Sequence, residues 1–291
     1  MFEIGTNSDR LRANLDYLVQ DAAQEYDVEA VIRIEVLYED GEYIVTEDGR
    51  ELSRELCAEH TLSRIFGQTQ VLALDRMRDW IELHCACIDW HGSRTVIAGP
   101  SGAGKTSVAL RLMFSGADLL ADERVFYRAG KAMPYPRRFH IKQAGLQHHA
   151  EIASLALPFF GADERHRVYS LSPHDVGRRW ELRPAPIDRI IYLEPNHGGQ
   201  TRLRSVRRTE MANLLMSQVY SPLGGRPGWI GDIAGLVTRA ECAVLWNGDV
   251  DESVAEIRRL SSGASRSETG LNGDARCGRN LSQGSISTLG D

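Results

Sequence analysis

The chain has 291 residues, of which 42% are hydrophobic and 25% charged, with a net charge of −6 and a pI near 5.9. That mixture builds one large domain, or a main domain with a smaller companion, and it offers no overall positive field to attract nucleic acid or an anionic membrane. No apolar run approaches the roughly 18 residues that span a bilayer, the start Met1-Phe2-Glu3-Ile4-Gly5 lacks the pattern of a secretory signal, and five scattered cysteines set out no disulfide framework. The chain therefore reads as cytoplasmic, with neither a nucleic-acid nor a membrane partner.

In the first 80 residues, Leu11, Leu15, Leu18 and Ala22 recur at helical spacing and predict a helix over Arg10–Ala22. Val28–Tyr38 reads as a strand that Asp40-Gly41 turns into a second one at Glu42–Thr46. Glu51–Phe66 returns to helical periodicity. No catalytic constellation is visible, and residues 1–80 read as an accessory or recognition unit of α+β type.

Residues 81–260 read as an α/β domain. Ile81–Trp90 is a predicted strand, His91-Gly92-Ser93 a turn, and Thr95–Ala98 a short buried strand. A glycine-rich loop follows, then a helix over Lys105–Ser115 closed by Gly116, then a strand over Ala117–Ala121. Arg124–Arg128 and Lys131–Tyr135 flank Ala129-Gly130 as a hairpin. Ile190–Leu193 is an apolar strand, and helices are predicted from about Thr209 to Tyr220 and over Asp251–Leu260, the latter with acids at its start and arginines at its end. In residues 261–291, thirteen of 31 are Gly or Ser and none is aromatic, the composition of a disordered tail.

Gly99-Pro100-Ser101-Gly102-Ala103-Gly104-Lys105-Thr106 matches the nucleotide-binding pattern G-x-x-x-x-G-K-[ST] in full, with Ser107 next to it. Its glycines permit backbone angles that turn N–H groups inward around phosphate oxygens, and the following helix aims its positive end at the same point. Lys105 is the residue expected to neutralise the β- and γ-phosphates, and the Thr106 hydroxyl to ligate Mg²⁺. The chain has only three lysines, Lys105, Lys131 and Lys142, against 31 arginines, so a lysine in the loop marks a need for a compact ammonium.

Geometry then nominates a carboxylate. A helix of about 11 residues carries the chain roughly 16 Å from the phosphates, and a strand of about five residues brings it back roughly 17 Å. A right-handed crossover places that strand in the same sheet. Asp122 arrives at its carboxyl end, where ligands bind in open α/β sheets, placed to accept a hydroxyl proton, orient a nucleophile or touch Mg²⁺; Glu123 follows as a second metal candidate. A competing pattern, Arg189–Glu194, has the apolar-run-then-acid shape of a Walker B strand, and His197-Gly198-Gly199-Gln200 faintly suggests a transporter-ATPase signature. That signature belongs before its strand and here comes after, so Ile190–Leu193 reads as a core strand stopped by Pro195, with Glu194 structural.

His84, the loop Gly99–Thr106 and Leu120-Ala121-Asp122-Glu123-Arg124-Val125 together resemble the catalytic domain of HPr kinase/phosphorylase. The nearer likeness is to its shorter relatives, including kinases that phosphorylate precursor peptides in lasso-peptide biosynthesis. The resemblance spans about Leu83–Lys142. It implies a P-loop kinase core of the HPr kinase type, with His84 near the nucleotide, Asp122 as base toward the attacking serine, and Glu123 as its acidic neighbour. Pro134-Tyr135-Pro136-Arg137-Arg138-Phe139-His140-Ile141-Lys142 resembles a Pro-Arg-rich stretch ending in lysine, which makes Lys142 and Arg137 candidates for phosphate or substrate contact. Where full-length members carry a metal-binding acid, this chain reads His140–Gly145 with none, which argues against phosphorylase activity and against HPr itself as the substrate.

Three further groups invite attention. On a strand, Cys85 and Cys87 face away from His84, which argues against a shared metal ion. His148-His149 reads as a solvated pair. Arg202, Arg204, Arg207 and Arg208 form a basic cluster, read as a solvated face or a contact to an acidic peptide or phosphate. The combined expectation is an ATP- and Mg²⁺-dependent kinase for a Ser or Thr hydroxyl of a peptide or small protein. A small-metabolite kinase and a non-catalytic nucleotide switch are the alternatives, and a homo-oligomer stays open.

Overall fold

The computed structural model describes residues 2–15, 31–146, 149, 152, 154–155, 157–159, 168–178, 180, 183–220 and 228–261. The predicted tail, apart from Ser261, and the positions Leu18 and Ala22 lie outside the described residues.

The N-terminal unit is a four-stranded sheet with two helices. Its elements are β1 (Phe2–Thr6), α1 (Asp9–Leu15), β2 (Ile32–Glu39), β3 (Glu42–Glu47), β4 (Arg50–Glu55) and α2 (Ala58–Arg76). The strands lie in sequence order, β1 parallel to β2 and the others antiparallel. The Asp40-Gly41 hairpin forms as expected. The helix predicted over Glu51–Phe66 does not begin there: Glu51–Glu55 belong to β4, and α2 starts at Ala58. A second two-residue turn, Asp48-Gly49, folds the chain back so that its backbone pairs with β3, and this pairing overrides local periodicity. Leu11, Ile34, Val36, Val45, Leu62 and Ile65 make a separate small core.

The rest of the chain adds β5 (Ile81–Leu83), β6 (Cys85–Trp90), β7 (Ser93–Ala98), α3 (Lys105–Phe114), β8 (Asp118–Ala121), β9 (Val125–Arg128), β10 (Lys131–Pro134), β11 (Phe139–Lys142), α4 (Gln143–Leu146), β12 (Leu157–Phe159), β13 (Val168–Leu171), β14 (Arg189–Pro195), β15 (Arg202–Ser205), α5 (Arg208–Met216), α6 (Trp229–Arg239), β16 (Glu241–Asn247) and α7 (Val250–Ser261). A six-stranded sheet in the order β15-β16-β14-β7-β6-β8 forms its centre. Strands β16, β14 and β7 run parallel; β6 is antiparallel to both β7 and β8, which leaves β8 parallel to β7 with β6 between them.

Alternation along these strands builds two cores. Ala86, Ile88, Ile97, Ile191, Leu193 and Leu245 face one layer, packed with residues of α3 and α7. Cys85, Cys87, Val96, Ala98, Ile190, Tyr192 and Val244 face the other, packed with α5 and α6. The result is a sheet covered by helices on both sides, a mixed α/β architecture. No described helix is long and apolar enough to cross a membrane.

Two predicted elements are corrected. The strand expected over Ile81–Trp90 breaks at His84: β5 pairs with β9 in a separate three-stranded sheet, while β6 joins the central one. The helix expected to reach Tyr220 ends at Met216, because Val219 bridges Leu83 and the Tyr220 N–H donates to the Glu82 carbonyl at 3.0 Å. Both departures arise from pairing between distant segments.

Arg94 ties β7 to the neighbouring hairpin from a position 2% exposed. Its guanidinium donates to the Ala132 and Arg183 carbonyls at 3.0 Å each, and its N–H to Asp188 at 2.8 Å. Replacing Arg94 with Met keeps the apolar stem, takes the donor from the Arg183 carbonyl and leaves that of Ala132 with the Ala185 N–H at 3.1 Å, so R94M should cost about 3 kcal/mol. A fall in the urea midpoint at unchanged m-value is the expected readout.

Candidate nucleotide site

The glycine-rich loop connects β7 to α3 and rests against the ends of the two neighbouring parallel strands. Gly99 (φ +149°) lies so close to β14 that a Cβ there would sit 2.5 Å from the Leu193 carbonyl oxygen. At Gly104 (φ +94°) a Cβ would meet Asn247 Nδ2 at 2.4 Å. Both positions combine a left-handed backbone with no room for a side chain, so only glycine fits. The N-terminus of α3 carries no side-chain cap and no acid in its first turn. Its leading amides therefore remain available to an anion.

Lys105 is 8% exposed. Its ammonium donates to the Gly99 carbonyl at 2.7 Å and the Pro100 carbonyl at 3.1 Å, which leaves the third of its donors for a phosphate oxygen. Burial lowers its pKa, opposed by the negative charge of Asp122.

Asp122 stands at the carboxyl end of β8, as expected, and is 5% exposed. The Thr106 hydroxyl lies 3.3 Å from Oδ1 and 3.2 Å from Oδ2. Burial pushes the carboxyl up to about 6, against the hydrogen bond from Thr106 and the charges of Arg137 and Lys105. Glu123 holds φ at +82°, a conformation a non-glycine residue keeps only when its surroundings impose it. Its carboxylate pairs with Arg137, and its carbonyl accepts from the Cys85 N–H at 3.2 Å.

His84 occupies the break between β5 and β6, its N–H bonded to the Gln218 carbonyl at 2.7 Å and its ring 5.3 Å from that of Tyr220. Burial, then Lys105 and Arg124, lower its pKa to about 4, so the imidazole is neutral at physiological pH. His140 is also held neutral, at about 3, by burial and the Arg137 charge.

These groups line a cavity of about 730 Å³, the size of a nucleotide or cofactor site. Of the predicted residues, Ser101, Gly102, Gly104, Lys105, Thr106, Ser107, His84, Asp122, Glu123 and Lys142 line it. Gly99, Pro100 and Ala103 shape the loop from behind. Arg137 stands outside the lining, engaged with Glu123 and His140.

The cavity wall on the β14 and β16 side escaped the sequence reading. Asn247, 1% exposed, donates from Nδ2 to the Ala103 carbonyl at 2.8 Å and accepts the Ser253 hydroxyl at 2.8 Å on Oδ1, so it props the phosphate loop. His197 Nε2 lies 2.9 Å from the Gly102 carbonyl, and because a carbonyl only accepts, Nε2 carries the proton. Gly198, Gly248, Asp249 and Val250 complete this side. The glycines of His197-Gly198-Gly199 signalled a loop, but only the parallel pairing of β14 with β7 sets it against the phosphate loop.

The other sequence candidates resolve differently. Cys85 and Cys87 are packed in the core with the α5–α6 layer, whereas His84 lines the cavity; no cluster of three metal-ligating side chains occurs among the described residues. His149 is fully buried rather than solvated, and His148 lies outside the described residues. Arg202, Arg204, Arg207 and Arg208 are exposed, with Arg204 paired to Glu210 at 2.6 Å.

No protein-family model and no curated protein matches the chain. Among solved structures it is similar to the HPr(Ser) kinase/phosphatase from Coxiella burnetii, with 10% identity over 62% of this chain and 97% of that one, at a TM-score of 0.31. A likeness of that size carries no weight, and function has to be argued from the site.

The buried carboxylate has a consequence for stability. Asp122 holds its proton more tightly folded than unfolded, so between about pH 4 and about pH 6 the native state binds more protons. Stability from this group is therefore present below its unfolded pKa and lost as pH rises through about 6. The difference amounts to about 3 kcal/mol at 1.36 kcal/mol per pKa unit. Asp122→Asn should accordingly raise the Tm of the ligand-free protein by a few degrees at pH 7.5 and leave it nearly unchanged at pH 4, as measured by calorimetry.

Proposed function

We propose that this chain is an ATP- and Mg²⁺-dependent kinase of the HPr kinase type that phosphorylates a Ser or Thr hydroxyl of a peptide or small protein, with a lasso-type precursor peptide as the first candidate. The observation that carries the reading is the buried Asp122 carboxylate, 3.2 Å from the Thr106 hydroxyl of the phosphate loop. A loop built only to hold phosphate has no use for an acid whose burial costs stability.

The residues fit a triphosphate with its metal. Gly99 and Gly104 keep the cradle clear of side chains, and the uncapped α3 and the Lys105 ammonium supply positive charge. Thr106 and Asp122 are the groups that would hold Mg²⁺, which when bound neutralises charge on the β- and γ-phosphates, whereas the carboxylate of Glu123, the third metal candidate, is taken up by Arg137. Asp122 at the end of β8 and His84 just before β6 mark the side that suits the acceptor, with Lys142 lining the same cavity. The wall of His197, Gly198 and Asn247–Val250 is left for the nucleoside.

Phosphoryl transfer depends on alignment and charge neutralisation more than on covalent chemistry. Lys105 and the loop amides hold the phosphates, and Asp122 accepts the hydroxyl proton as the oxygen attacks the γ-phosphorus and the bond to the departing ADP breaks. Neutral His84 offers a hydrogen bond to the acceptor without adding charge. Ionised Asp122 is the working form, so kcat/KM should fall below an apparent pKa of about 6, in a pH–rate profile taken at subsaturating substrate.

Incubation with ATP labelled on its terminal phosphate, together with peptides encoded by adjacent genes, tests the assignment. Label recovered on a seryl or threonyl residue is expected; label found only as free phosphate would overturn it. Asp122→Asn should cut transfer at least about 100-fold while calorimetry still detects Mg-nucleotide binding, whereas a non-catalytic switch keeps its function in that variant. Lys105→Ala should weaken binding and transfer together.

A further inference from the structure

The N-terminal unit reaches the wall of the active site at Phe66. On α2, Leu62 and Ile65 point into the small core of that unit. Phe66, the next residue, is half-buried and faces the kinase domain instead. The Arg137 guanidinium carbon lies 5.3 Å from the centre of its ring, and the His140 ring lies 6.1 Å away at an interplanar angle of 34°. Arg137 in turn pairs with Glu123 and meets His140 Nδ1 at 2.8 Å.

The chemistry of these contacts is directional. A guanidinium only donates, so His140 Nδ1 is the acceptor and its proton sits on Nε2. The same guanidinium holds the carboxylate of Glu123, whose backbone adopts the left-handed φ of +82° immediately after Asp122. Glu123 and His140 both line the cavity, while Phe66 and Arg137 stand behind them. Both bonds depend on the orientation of the guanidinium plane, and an aromatic face against the cation helps to hold that plane.

We propose that Phe66 is a positioning residue for phosphoryl transfer: through Arg137 it fixes Glu123 and His140, and so makes the N-terminal unit part of the acceptor wall of the active site. The inference rests on the kinase reading above and adds to it a role for the N-terminal unit in catalysis. Loss of the ring frees the Arg137 plane, loosens the wall beside Asp122 and slows transfer. The phosphate loop lies beyond this contact, so nucleotide affinity is left alone.

The test uses the full chain with labelled MgATP and, as acceptor, the unphosphorylated form of the peptide on which label is recovered. Phe66→Leu keeps the apolar volume and loses the aromatic face. It should lower kcat roughly 3- to 30-fold with KM for MgATP within about twofold, while Phe66→Tyr retains the wild-type rate. Arg137→Lys keeps Phe66 and the small core beneath α2 in place and should show the same split between kcat and KM, so the result does not depend on how well F66L folds. In an Arg137→Gln background, Phe66→Leu should have no further effect. Wild-type kcat in F66L, or effects of F66L and R137Q that multiply, overturns the inference and leaves the kinase assignment standing. A wild-type chain that transfers phosphate to no peptide, releasing it at most as free phosphate, overturns both.

Discussion

The approach of the Thr106 hydroxyl to the Asp122 carboxylate, across 16 residues of sequence, is the contact on which the site depends. It exists because α3 leaves the phosphate loop and β8 returns to the same edge of the sheet, held there by pairing with β6. Leu110, Leu112 and Met113 of α3 are fully buried in the layer that also receives Leu119 of β8. The helix and the returning strand are thus locked to one core, and the acid has no freedom to relax outward into water. Its raised pKa is the electrostatic record of that confinement.

The protein is acidic overall, yet it concentrates positive potential at one point. Lys105 is buried among loop carbonyls, the start of α3 is left without a carboxylate, and three arginines nearby are committed to partners: Arg124 to Glu82, Arg137 to Glu123, Arg138 to Asp175. A polyanion entering the cavity therefore meets amides and an ammonium that are already oriented, and little reorganisation remains to oppose binding. The glycines make this possible by subtraction, since any side chain at 99 or 104 would displace Leu193 or Asn247.

The two sides of the cavity are built by different means. On the side proposed for the nucleoside, parallel strands β14 and β16 end in loops that share hydrogen bonds with each other and with the phosphate loop; Gly198 N–H donates to the Gly248 carbonyl at 3.0 Å and Asn196 N–H to that of Asn247 at 3.1 Å. This wall is a continuation of the sheet and inherits its rigidity. On the other side, His84 sits where one strand breaks into two, Glu123 takes an unfavourable backbone angle, and Phe66 leans in from a separate core. Several separate constraints converge there, which is consistent with the acceptor role proposed for that side.

Much of this was legible along the chain. The phosphate loop is a contiguous pattern whose chemistry follows from its own residues, and Asp122 followed from helix and strand lengths alone, because rise per residue is a local property. The Asp40-Gly41 and Ala129-Gly130 hairpins were visible for the same reason. What escaped was set by partners distant in sequence. Glu51–Glu55 became a strand because β3 offered it hydrogen bonds, His84 became a break because Gln218 captured its N–H, and His149 was buried despite its polar neighbourhood. Asn247 carries no motif, and its importance arises only when β16 lies beside β14 and brings its amide to the Ala103 carbonyl. Local backbone chemistry determined where phosphate can bind, whereas tertiary packing decided which side chains surround it, since those contacts join segments that no periodicity connects.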